Sequence, residues 1–500
     1  MSAPVAVIGN GPVGQTTALL LARWGIPVVL LDSRPARDEV GSKAICQQRD
    51  VLDIWSAVGA GRIADDGLMW TTARTFYRDR ELFSRSFVDP GCSPLPAFVN
   101  VSQSHTERVL DERIAAQPLI DVRWGHEVVG VEQSADGVTL TCLGGAEIQA
   151  SYAVAAAGAR GDRVRRLLGV GFDGQSFDDR FLICDIRAEL PGWETERRFH
   201  FDPAWNPGRQ VLIHPCPDST FRIDWQVPAE FDPDPAALDT RIRQIIGDRP
   251  YELVWQSVYR FHSRCVDRMR VGRVLLAGDC AHLVAPFGAR GLNSGVADAE
   301  NAAWKLAFVL HGWAPDTLLD SYDTERLAAA RENLAITSAT MRFLVPRTEA
   351  ERAARRRILD AAVETADARA LVDSGRFAEP FCYADSPLTT PVADRPVGVL
   401  VPDMPVAVPG RPDVVRLRQL VRDGLLALTT DDIDTAPFKA ATTAPTRVLR
   451  VADVDPGGVL KARPGETWLL RPDGHIAAVV HSAADLAAAA RRALAVSPTR

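Results

Sequence analysis

The first thirty residues combine a glycine-rich loop with an acid at a fixed distance. An apolar run, 5–8, leads into a loop that contains Gly9, Gly11 and Gly14, and a second apolar run closes on Asp32. Glycines at this spacing allow a tight turn, a close approach of backbone amides to a pyrophosphate, and close packing of the following helix on a sheet. A helix N-terminus attracts an anion because its N–H groups are unpaired, and an acid about 20 residues further on accepts hydrogen bonds from a ribose diol. The stretch therefore predicts a strand–turn–helix–strand unit that binds a dinucleotide.

A second acid and a second glycine-rich turn follow another buried run. The run 274–277 leads to Asp279, and the turn beyond it carries Gly288 and Gly291 before a predicted helix over 294–310. An acid at the carboxyl end of a strand, followed by glycines that open a helix, repeats the physics of the first unit. Two phosphate-or-sugar sites predict a long cofactor.

Between these two units the pattern changes to short alternating strands. Residues 172–259 predict an antiparallel sheet inserted into the nucleotide-binding fold, where it would form a wall of a substrate pocket. Period-2 alternation in one of its strands places Arg222, Asp224 and Gln226 on one face, which is either a solvent face or a polar wall that faces a ligand. His214 is either a proton acceptor, since imidazole titrates near neutrality, or a core histidine with satisfied hydrogen bonds.

Composition and charge disfavour several function classes. Lysine and arginine number 57 and aspartate and glutamate 64, which gives a net charge of −7 without long blocks of one sign, so neither a nucleic acid nor a membrane surface is expected as a partner. The first apolar stretch leads straight into the glycine loop and is a strand, not a signal peptide, and no apolar run reaches the length of a membrane span. The eight cysteines are scattered, which predicts free thiols, a cytoplasmic location and no metal site. A small molecule is the expected partner.

These motifs together resemble those of the group A flavoprotein aromatic hydroxylases, whose fold type is that of para-hydroxybenzoate hydroxylase. The resemblance rests on the first glycine loop, on Gln103, on the region of Gly158, and on the pattern Ala-Gly-Asp-x-Ala-His…Pro-x-Gly-x-x-Gly-x-Asn between Ala277 and Asn293. The tail around 468–474 is similar to the C-terminal thioredoxin-like domain of the phenol, 3-(3-hydroxyphenyl)propionate, rifampicin and polyketide hydroxylase branch. That tail has no cysteine pair, so we expect a structural or assembly role for it and no redox role.

The resemblance implies an α/β fold: a Rossmann-like FAD-binding domain with an inserted antiparallel-sheet substrate domain, plus a C-terminal thioredoxin-like α/β domain. The expected ranges are 1–70, 101–171 and 268–345 for the FAD-binding domain, 71–100 and 172–267 for the substrate-binding sheet domain, 346–393 for a helical connection and linker, and 394–500 for the thioredoxin-like domain. A homodimer is an open alternative to a monomer.

The resemblance also implies the cofactors and the residues that hold them. FAD is the expected cofactor, NADPH or NADH the reductant, and a small aromatic molecule and O₂ the substrates. Asp32 would bind the adenosine ribose, Lys43 and Gln103 would lie near the pyrophosphate and ribityl chain, and Asp279 would hold the ribityl and pyrophosphate. Pro286 would lie beside the flavin C4a. The expected cofactor-binding residues are Gly9, Gly11, Pro12, Val13, Gly14, Asp32, Ser33, Lys43, Gln103, Val128, Gly158, Asp279, Pro286, Gly291, Leu292 and Asn293, with Val128 near the adenine by its backbone. The expected catalytic residues are Pro286, His214, Arg222 and Asp224.

The implied activity is hydroxylation of a phenolic or polyketide-type aromatic ring through a flavin C4a-hydroperoxide. A Baeyer–Villiger or epoxidising monooxygenase, a flavin oxidase or dehydrogenase of the same fold, and a flavin-binding protein without enzymatic activity are the alternatives. Each predicts a different product or a different use of NAD(P)H.

Two departures from the family pattern matter for this expectation. The family motif Gly-Ala-Asp-Gly-Ala-x-Ser-x-Val-Arg has no acid here: one alignment places Ala157 at the acid, and an ungapped alignment from Val164 places Gly158 there. We expect FAD binding to be kept and NAD(P)H to reduce the flavin slowly, or from a docking surface in which an arginine supplies the missing contact. The candidates for that contact are Arg160, Arg163 and Arg165. Ala285 takes the place of the first of two adjacent family prolines.

Overall fold

The computed structural model describes residues 3–38, 41, 44–87, 93–232, 234–408 and 410–496. The strands are, in chain order, β1 Val5–Ile8, β2 Val28–Leu31, β3 Cys46–Gln48, β4 Thr72–Tyr77, β5 Arg80–Ser86, β6 Phe98–Asn100, β7 Ile120–Arg123, β8 Val128–Gln133, β9 Val138–Cys142, β10 Glu147–Ala150, β11 Tyr152–Ala155, β12 Phe172–Ala188, β13 Glu196–Phe201, β14 Gln210–Cys216, β15 Thr220–Val227, β16 Tyr251–Val266, β17 Arg270–Val271, β18 Val274–Leu276, β19 His282–Leu283, β20 Leu425–Thr429, β21 Thr446–Arg450, β22 Thr467–Leu470 and β23 Ile476–Val480. The α-helices are α1 Pro12–Arg23, α2 Arg49–Ala57, α3 Arg62–Asp65, α4 Gln103–Ala115, α5 Asp162–Leu167, α6 Pro235–Ile246, α7 Arg290–Leu310, α8 Asp320–Leu344, α9 Glu349–Glu364, α10 Ala366–Ala370, α11 Ala436–Ala440, α12 Val451–Val454 and α13 Ala483–Ala493.

A six-stranded sheet forms the centre of the nucleotide-binding part. Its order is β17-β18-β11-β1-β2-β7, and all neighbours run parallel except β17 and β18. The strands β1, β2 and β11 are buried along their whole length, as expected for a parallel sheet covered on both faces. Because the strands are parallel, the loops that follow β1, β2, β11 and β18 meet at one edge of the sheet.

An eight-stranded sheet lies beside the first and has the order β19-β16-β12-β15-β14-β13-β4-β5. Its neighbours are antiparallel except β13 and β4, and β12 and β16 form its longest pair. Apolar side chains on one face pack against α6, in a cluster that includes Ile242 of that helix. The other face packs against α9 and the loop after β19, in a cluster that contains Phe181, Phe199 and Phe287. We call this second face the inner face.

The C-terminal part contains a four-stranded sheet in the order β21-β20-β22-β23, in which only β20 and β21 are parallel. On one side its apolar residues and α13 pack with Trp304 and Phe308 of α7. On the other side it packs with a segment that includes Val401 and Leu417. Since α7 belongs to both packing layers, the C-terminal sheet and the nucleotide-binding part share a buried interface.

The described helices are all too short or too polar to form a membrane span.

Candidate cofactor and substrate site

The loop after β1 can be built only with glycines at two positions. Gly9 has φ +112°, and a Cβ on it would lie 2.3 Å from the Ala156 carbonyl oxygen. A Cβ on Gly14 would lie 1.8 Å from the carbonyl oxygen of Gly9. A Cβ on Gly11 would meet nothing within 4 Å among the described atoms, so the space above this residue is open. The loop thus combines a tight turn with an approachable backbone.

The amino-terminal ends of α1 and α7 meet at the turn that carries Asp279. Helix α1 begins with Pro12, has no side-chain cap and has no acid in its first turn. Val13 packs against Gly278, since its Cγ2 lies 3.0 Å from the Cβ that Gly278 would carry, and 2.7 Å from the Cβ that Gly295 of α7 would carry. The first turn of α1 presents unpaired N–H groups here, which favour a phosphate.

Asp32, at the end of β2, is held by its neighbours. Its Oδ2 accepts hydrogen bonds from the Asn10 amide at 2.9 Å and from Arg34 Nη2 at 3.0 Å. Its Oδ1 accepts from the Arg34 amide at 2.9 Å and from Arg34 Nε at 3.0 Å. Burial opposes ionisation of this carboxyl, but the hydrogen bonds from Arg34 and Asn10 outweigh it and lower its pKa. A bound ribose diol would donate hydrogen bonds to the Asp32 carboxylate oxygens from the directions that the Arg34 side chain occupies in this structure. Ser33 is exposed.

Val128 and Gln103 are two further residues expected at the cofactor from the sequence. The amide of His126 donates to the Asp32 carbonyl oxygen at 2.8 Å, which brings the turn before Val128 alongside β2. Gln103 starts α4, and its Oε1 accepts from the Ala44 amide at 3.2 Å. Lys43, the residue expected at the phosphates, lies outside the described residues.

The loop after β11 brings the region of Gly158 to the same edge. The amide of Ala156 donates to the Ile8 carbonyl oxygen at 2.8 Å, and the backbone of Ala157 hydrogen-bonds to the Cys280 thiol. Gly158 has φ +65°, and nothing lies within 4 Å of its Cβ position. Ala157, the position without the family's acid, therefore borders the glycine-rich loop after β1 (residues 9–14), which we call the cradle.

The three arginines expected to replace that acid differ in their surroundings. Arg165 is buried, donates to the Cys280 carbonyl oxygen at 3.1 Å and lies 4.0 Å above the Phe172 ring. Arg163 pairs with Glu127 at 2.8 Å. Arg160 is exposed. Arg165 is thus engaged in buried contacts and Arg163 in an ion pair, and the contact of any of the three with a nicotinamide nucleotide stays a prediction.

Helix α7 begins at Arg290, four residues earlier than the sequence pattern predicts. Gly291 and Leu292 consequently lie in its first turn, where backbone amides have no partner inside the helix. The side chain of Asn293 links α7 to β3: its Oδ1 accepts from the Gln48 amide at 3.0 Å, and its Nδ2 donates to the Cys46 carbonyl oxygen at 3.0 Å. This anchoring by the side chain is not visible in the sequence.

The loop before α7 docks on the inner face of the eight-stranded sheet. Pro286 is exposed, whereas Phe287 is buried. The Phe287 ring centroid lies 5.9 Å from Phe181, 6.4 Å from Phe199 and 6.3 Å from Phe261. Pro286 therefore lies at the boundary between the cofactor edge and the sheet.

The polar face predicted from alternation is the inner face, so the solvent-face interpretation is wrong. Arg222 and Gln226 are each only 2% exposed. Arg222 donates to both carboxylate oxygens of Asp185, from Nε at 2.7 Å and from Nη2 at 2.8 Å. Gln226 Nε2 donates to Asp179 Oδ2 at 2.6 Å. Arg222 and Gln226 are thus engaged in buried contacts within the sheet.

Asp224 and His214 are the less satisfied members of this face. Asp224 Oδ1 is buried and has no hydrogen-bond partner among the described residues. Burial and the charge of Asp185 raise the pKa of Asp224 to about 7, although Arg222 and Arg197 oppose the rise. His214 pairs in register with Arg222, and burial together with the charges of Arg197 and Arg222 holds its pKa well below the usual value. The imidazole is therefore a weak proton acceptor, and Asp224 is the better candidate.

Sequence reasoning missed Arg197 on β13. It also missed an aromatic group around Trp70, which packs with Ala73, the residue opposite Arg197 on β4. Arg197 is buried and donates from Nη2 to the Ser374 carbonyl oxygen at 3.1 Å. Alternation along β13 places it on the same face as Phe199, a signal that was present in the sequence. Trp70 packs with Phe98 at 4.7 Å between ring centroids and with Phe377 at 5.7 Å, and its Nε1 has no partner among the described residues.

These features define a class of protein. A glycine-rich cradle and an acid at the carboxyl edge of a parallel sheet, next to a second helix N-terminus, fit a flavin dinucleotide. The open space above Gly11 and the unpartnered, buried Nδ2 of Asn10 are where such a ligand would contact the chain. A buried face with aromatic and polar side chains lies beyond the loop of Pro286 and Phe287, so the fold is that of a dinucleotide-binding protein with a second candidate site beside the cofactor site.

Comparison with known proteins identifies the family. Residues 2–337 match the profile of the family described as FAD binding domain. A flavin-dependent monooxygenase of Mycobacteroides abscessus is 35% identical over 67% of this chain and 73% of that protein. A 3-(3-hydroxy-phenyl)propionate/3-hydroxycinnamic acid hydroxylase of a Mycobacterium species is 32% identical over 68% of this chain, which spans only 60% of that protein. The chain belongs to the FAD-binding family of flavin-dependent monooxygenases.

A solved structure shows the same fold over the whole chain. The crystal structure of the flavin-dependent monooxygenase PieE in complex with FAD and substrate aligns with a TM-score of 0.86 over 99% of this chain and 100% of that chain, at 23% identity. The fold class, the monooxygenase class and the FAD cofactor expected from the sequence are thereby confirmed. The domain boundaries and the roles of single residues stay predictions.

Proposed function

We propose that this chain is an FAD- and NAD(P)H-dependent hydroxylase of phenolic or polyketide-type aromatic rings, in which Asp224 takes the proton of the substrate hydroxyl. The observation that carries the proposal is the buried Oδ1 of Asp224 on the inner face, which has no hydrogen-bond partner among the described residues. A pKa of about 7 suits a general base that works near neutrality.

The cradle holds the cofactor in this proposal. Bound FAD supplies the activation of O₂ and the transfer of one oxygen atom. The loop amides around Gly11 and the first turn of α1 hold the phosphates. Asp32 binds the ribose once the Arg34 side chain has moved away from its carboxylate. The first turn of α7 offers the backbone amides of Gly291 and Leu292 to the cofactor. The Asn293 side chain keeps that turn fixed against β3.

The inner face holds the substrate. Removal of the hydroxyl proton by Asp224 makes the ring more electron-rich, which favours its attack on an electrophilic oxygen. Phe181, Phe199 and Phe287 keep water away from the reacting centre, where water and stray protons would divert the oxygen into H₂O₂. His214, which stays neutral, contributes polarity without a charge.

The test is a panel of phenols and aromatic polyketides given to the FAD-loaded protein with NADH or NADPH. We expect some members to stimulate NAD(P)H oxidation and to gain one oxygen atom as a phenol, with little H₂O₂. A lactone or epoxide product would instead support the Baeyer–Villiger or epoxidising alternative, and FAD reduction by substrate without NAD(P)H would support an oxidase. Absence of any substrate-stimulated NAD(P)H consumption would refute the proposal.

We also propose a cytoplasmic location for this protein. The seven described cysteines are free, as expected of thiols in a reducing cytoplasm. The net charge of −7 supports a small-molecule enzyme without a nucleic-acid partner. Size-exclusion chromatography with light scattering distinguishes a homodimer from a monomer.

A further inference from the structure

Arg197 is a buried cation without a paired carboxylate in the part of the chain that the structure describes. Arg197 is 9% exposed. No carboxylate oxygen of the described residues lies within 4.0 Å of its guanidinium nitrogens, the distance limit for a salt bridge. Its hydrogen bond goes to a neutral acceptor, the Ser374 carbonyl oxygen. Burial lowers the pKa of Arg197 to about 10, so the guanidinium is still charged at neutral pH. A buried charge without a counterion is costly, which suggests that its partner is a ligand.

The neighbours of Arg197 explain which ligand suits it. Arg198 pairs in register with Ile213, so Arg197 lies alongside His214 on the inner face. His214 is paired in turn with Arg222, whose charge Asp185 already balances. Asp224 is close enough for its charge to act on Arg197, but it makes no ion pair with it. When Asp224 holds a proton, the inner face around Arg197 carries one unbalanced positive charge.

We propose that Arg197 binds an anionic oxygen of the aromatic substrate, and in the reaction binds the phenolate oxygen that forms when the ring hydroxyl gives its proton to Asp224. The phenol O–H bond breaks, the proton goes to a carboxylate oxygen of Asp224, and the electron pair stays on the ring oxygen beside the guanidinium. The inference rests on the proposed function for this last step. A carboxylate substituent on the substrate would offer the guanidinium the same chemistry, and the experiment below separates the two sources.

The test measures binding to the FAD-loaded protein, so it needs no turnover. The probes are 4-nitrophenol, 4-nitroanisole, which has the same ring without an ionisable hydroxyl, and benzoate. Binding is followed by the change in flavin absorbance, and the phenolate band of 4-nitrophenol reports its ionisation. The variants are Arg197→Gln and Arg197→Lys. Arg198→Gln is the matched control, because Arg198 lies on the opposite face of the same strand and pairs with Glu196 at 2.7 Å.

We expect wild type to bind 4-nitrophenol as its phenolate and to bind it more tightly than 4-nitroanisole. Arg197→Gln should weaken 4-nitrophenol binding roughly 10- to 100-fold, the range for losing a hydrogen bond to a charged group, and should leave 4-nitroanisole binding unchanged. Arg197→Lys should restore part of the affinity, and Arg198→Gln should change neither. If benzoate depends on Arg197 and 4-nitrophenol does not, the anion is a carboxylate, and the phenolate assignment is overturned.

Other outcomes overturn the whole proposal. They are an equal loss for 4-nitroanisole, no loss for either anion, or no saturable binding of either anion to wild type. A structural role for Arg197 would instead lower the melting temperature or the FAD content of Arg197→Gln, whereas removal of an unpaired buried charge should leave both unchanged or raise the melting temperature. If the protein binds anions through Arg197 but hydroxylates nothing, the proposed function fails and the anion site stands.

Discussion

The substitution Asp224→Asn should make the protein more stable and less active, because it removes a buried carboxyl group whose ionised form is both costly and needed as a base. Burial raises the pKa of this carboxyl from 3.8 to about 7. At 1.36 kcal/mol per pH unit the rise corresponds to at most about 4 kcal/mol. Because the folded state holds the proton more tightly than the unfolded state, the carboxyl lowers stability as pH rises from about 4 to about 7, and the cost is constant above that. Asparagine cannot ionise, so the variant escapes the cost.

The expected result has a stability part and an activity part. Near pH 8 the free energy of unfolding of Asp224→Asn should exceed that of wild type by up to about 4 kcal/mol, and near pH 4 the two should agree. The wild-type kcat/KM should rise with pH through an apparent pKa near 7, the value set by burial of Asp224. The variant should lose about 10²- to 10⁴-fold in rate, the usual contribution of a general base, and should lose that inflection.

Denaturant unfolding at several pH values and steady-state kinetics over the same range test this reasoning. Asp136, an exposed carboxylate, gives the control variant Asp136→Asn, which should change neither profile. FAD content should stay the same in both variants. If Asp224→Asn shows the wild-type pH dependence of both stability and kcat/KM, then burial does not raise the pKa of Asp224 and Asp224 is not the general base.

Three further predictions concern the cofactor site, the C-terminal interface and flavin reduction. Asp32→Ala should weaken FAD binding by about 1–3 kcal/mol, through loss of charge-assisted hydrogen bonds, and unchanged affinity in a flavin fluorescence titration would remove the assignment. Arg471→Met should cost about 3–5 kcal/mol of unfolding free energy in urea, because the buried Arg471 guanidinium is paired with Glu325 at 2.5 Å and its loss leaves that carboxylate short of a cation. The double variant Arg471→Met/Glu325→Gln should recover part of the loss, and strictly additive costs would contradict this account. Ala157→Asp should speed reduction of FAD by NADH or NADPH in stopped-flow measurements. Rapid reduction in wild type, without a gain in the variant, would show that alanine at this position does not impair flavin reduction.

The sequence by itself determined the local units of the site. Glycine alone tolerates φ +112° at Gly9 and the close contact at Gly14, so the loop after β1 is readable from residue types and spacing. Buried runs that end on Asp32 and near Asp279 indicate parallel strands, whose carboxyl ends share an edge. Alternation likewise placed Arg222, Asp224 and Gln226 on one face, because side chains of a strand alternate whatever the strand packs against.

Tertiary structure decided which face is buried and which charges meet. Alternation is the same for a solvent face and an inner face, and only the packing of α9 and of the loop after β19 covers the face that carries Asp224. The anchoring of Gln48 by Asn293 joins residues 245 positions apart, and the pair of Arg471 with Glu325 joins residues 146 positions apart. Contacts over such distances depend on how the sheets and helices pack, because no local propensity or periodicity specifies which distant side chains become neighbours. For the same reason the position of Arg197 near Asp224, without an ion pair to any described carboxylate, is a property of the folded chain.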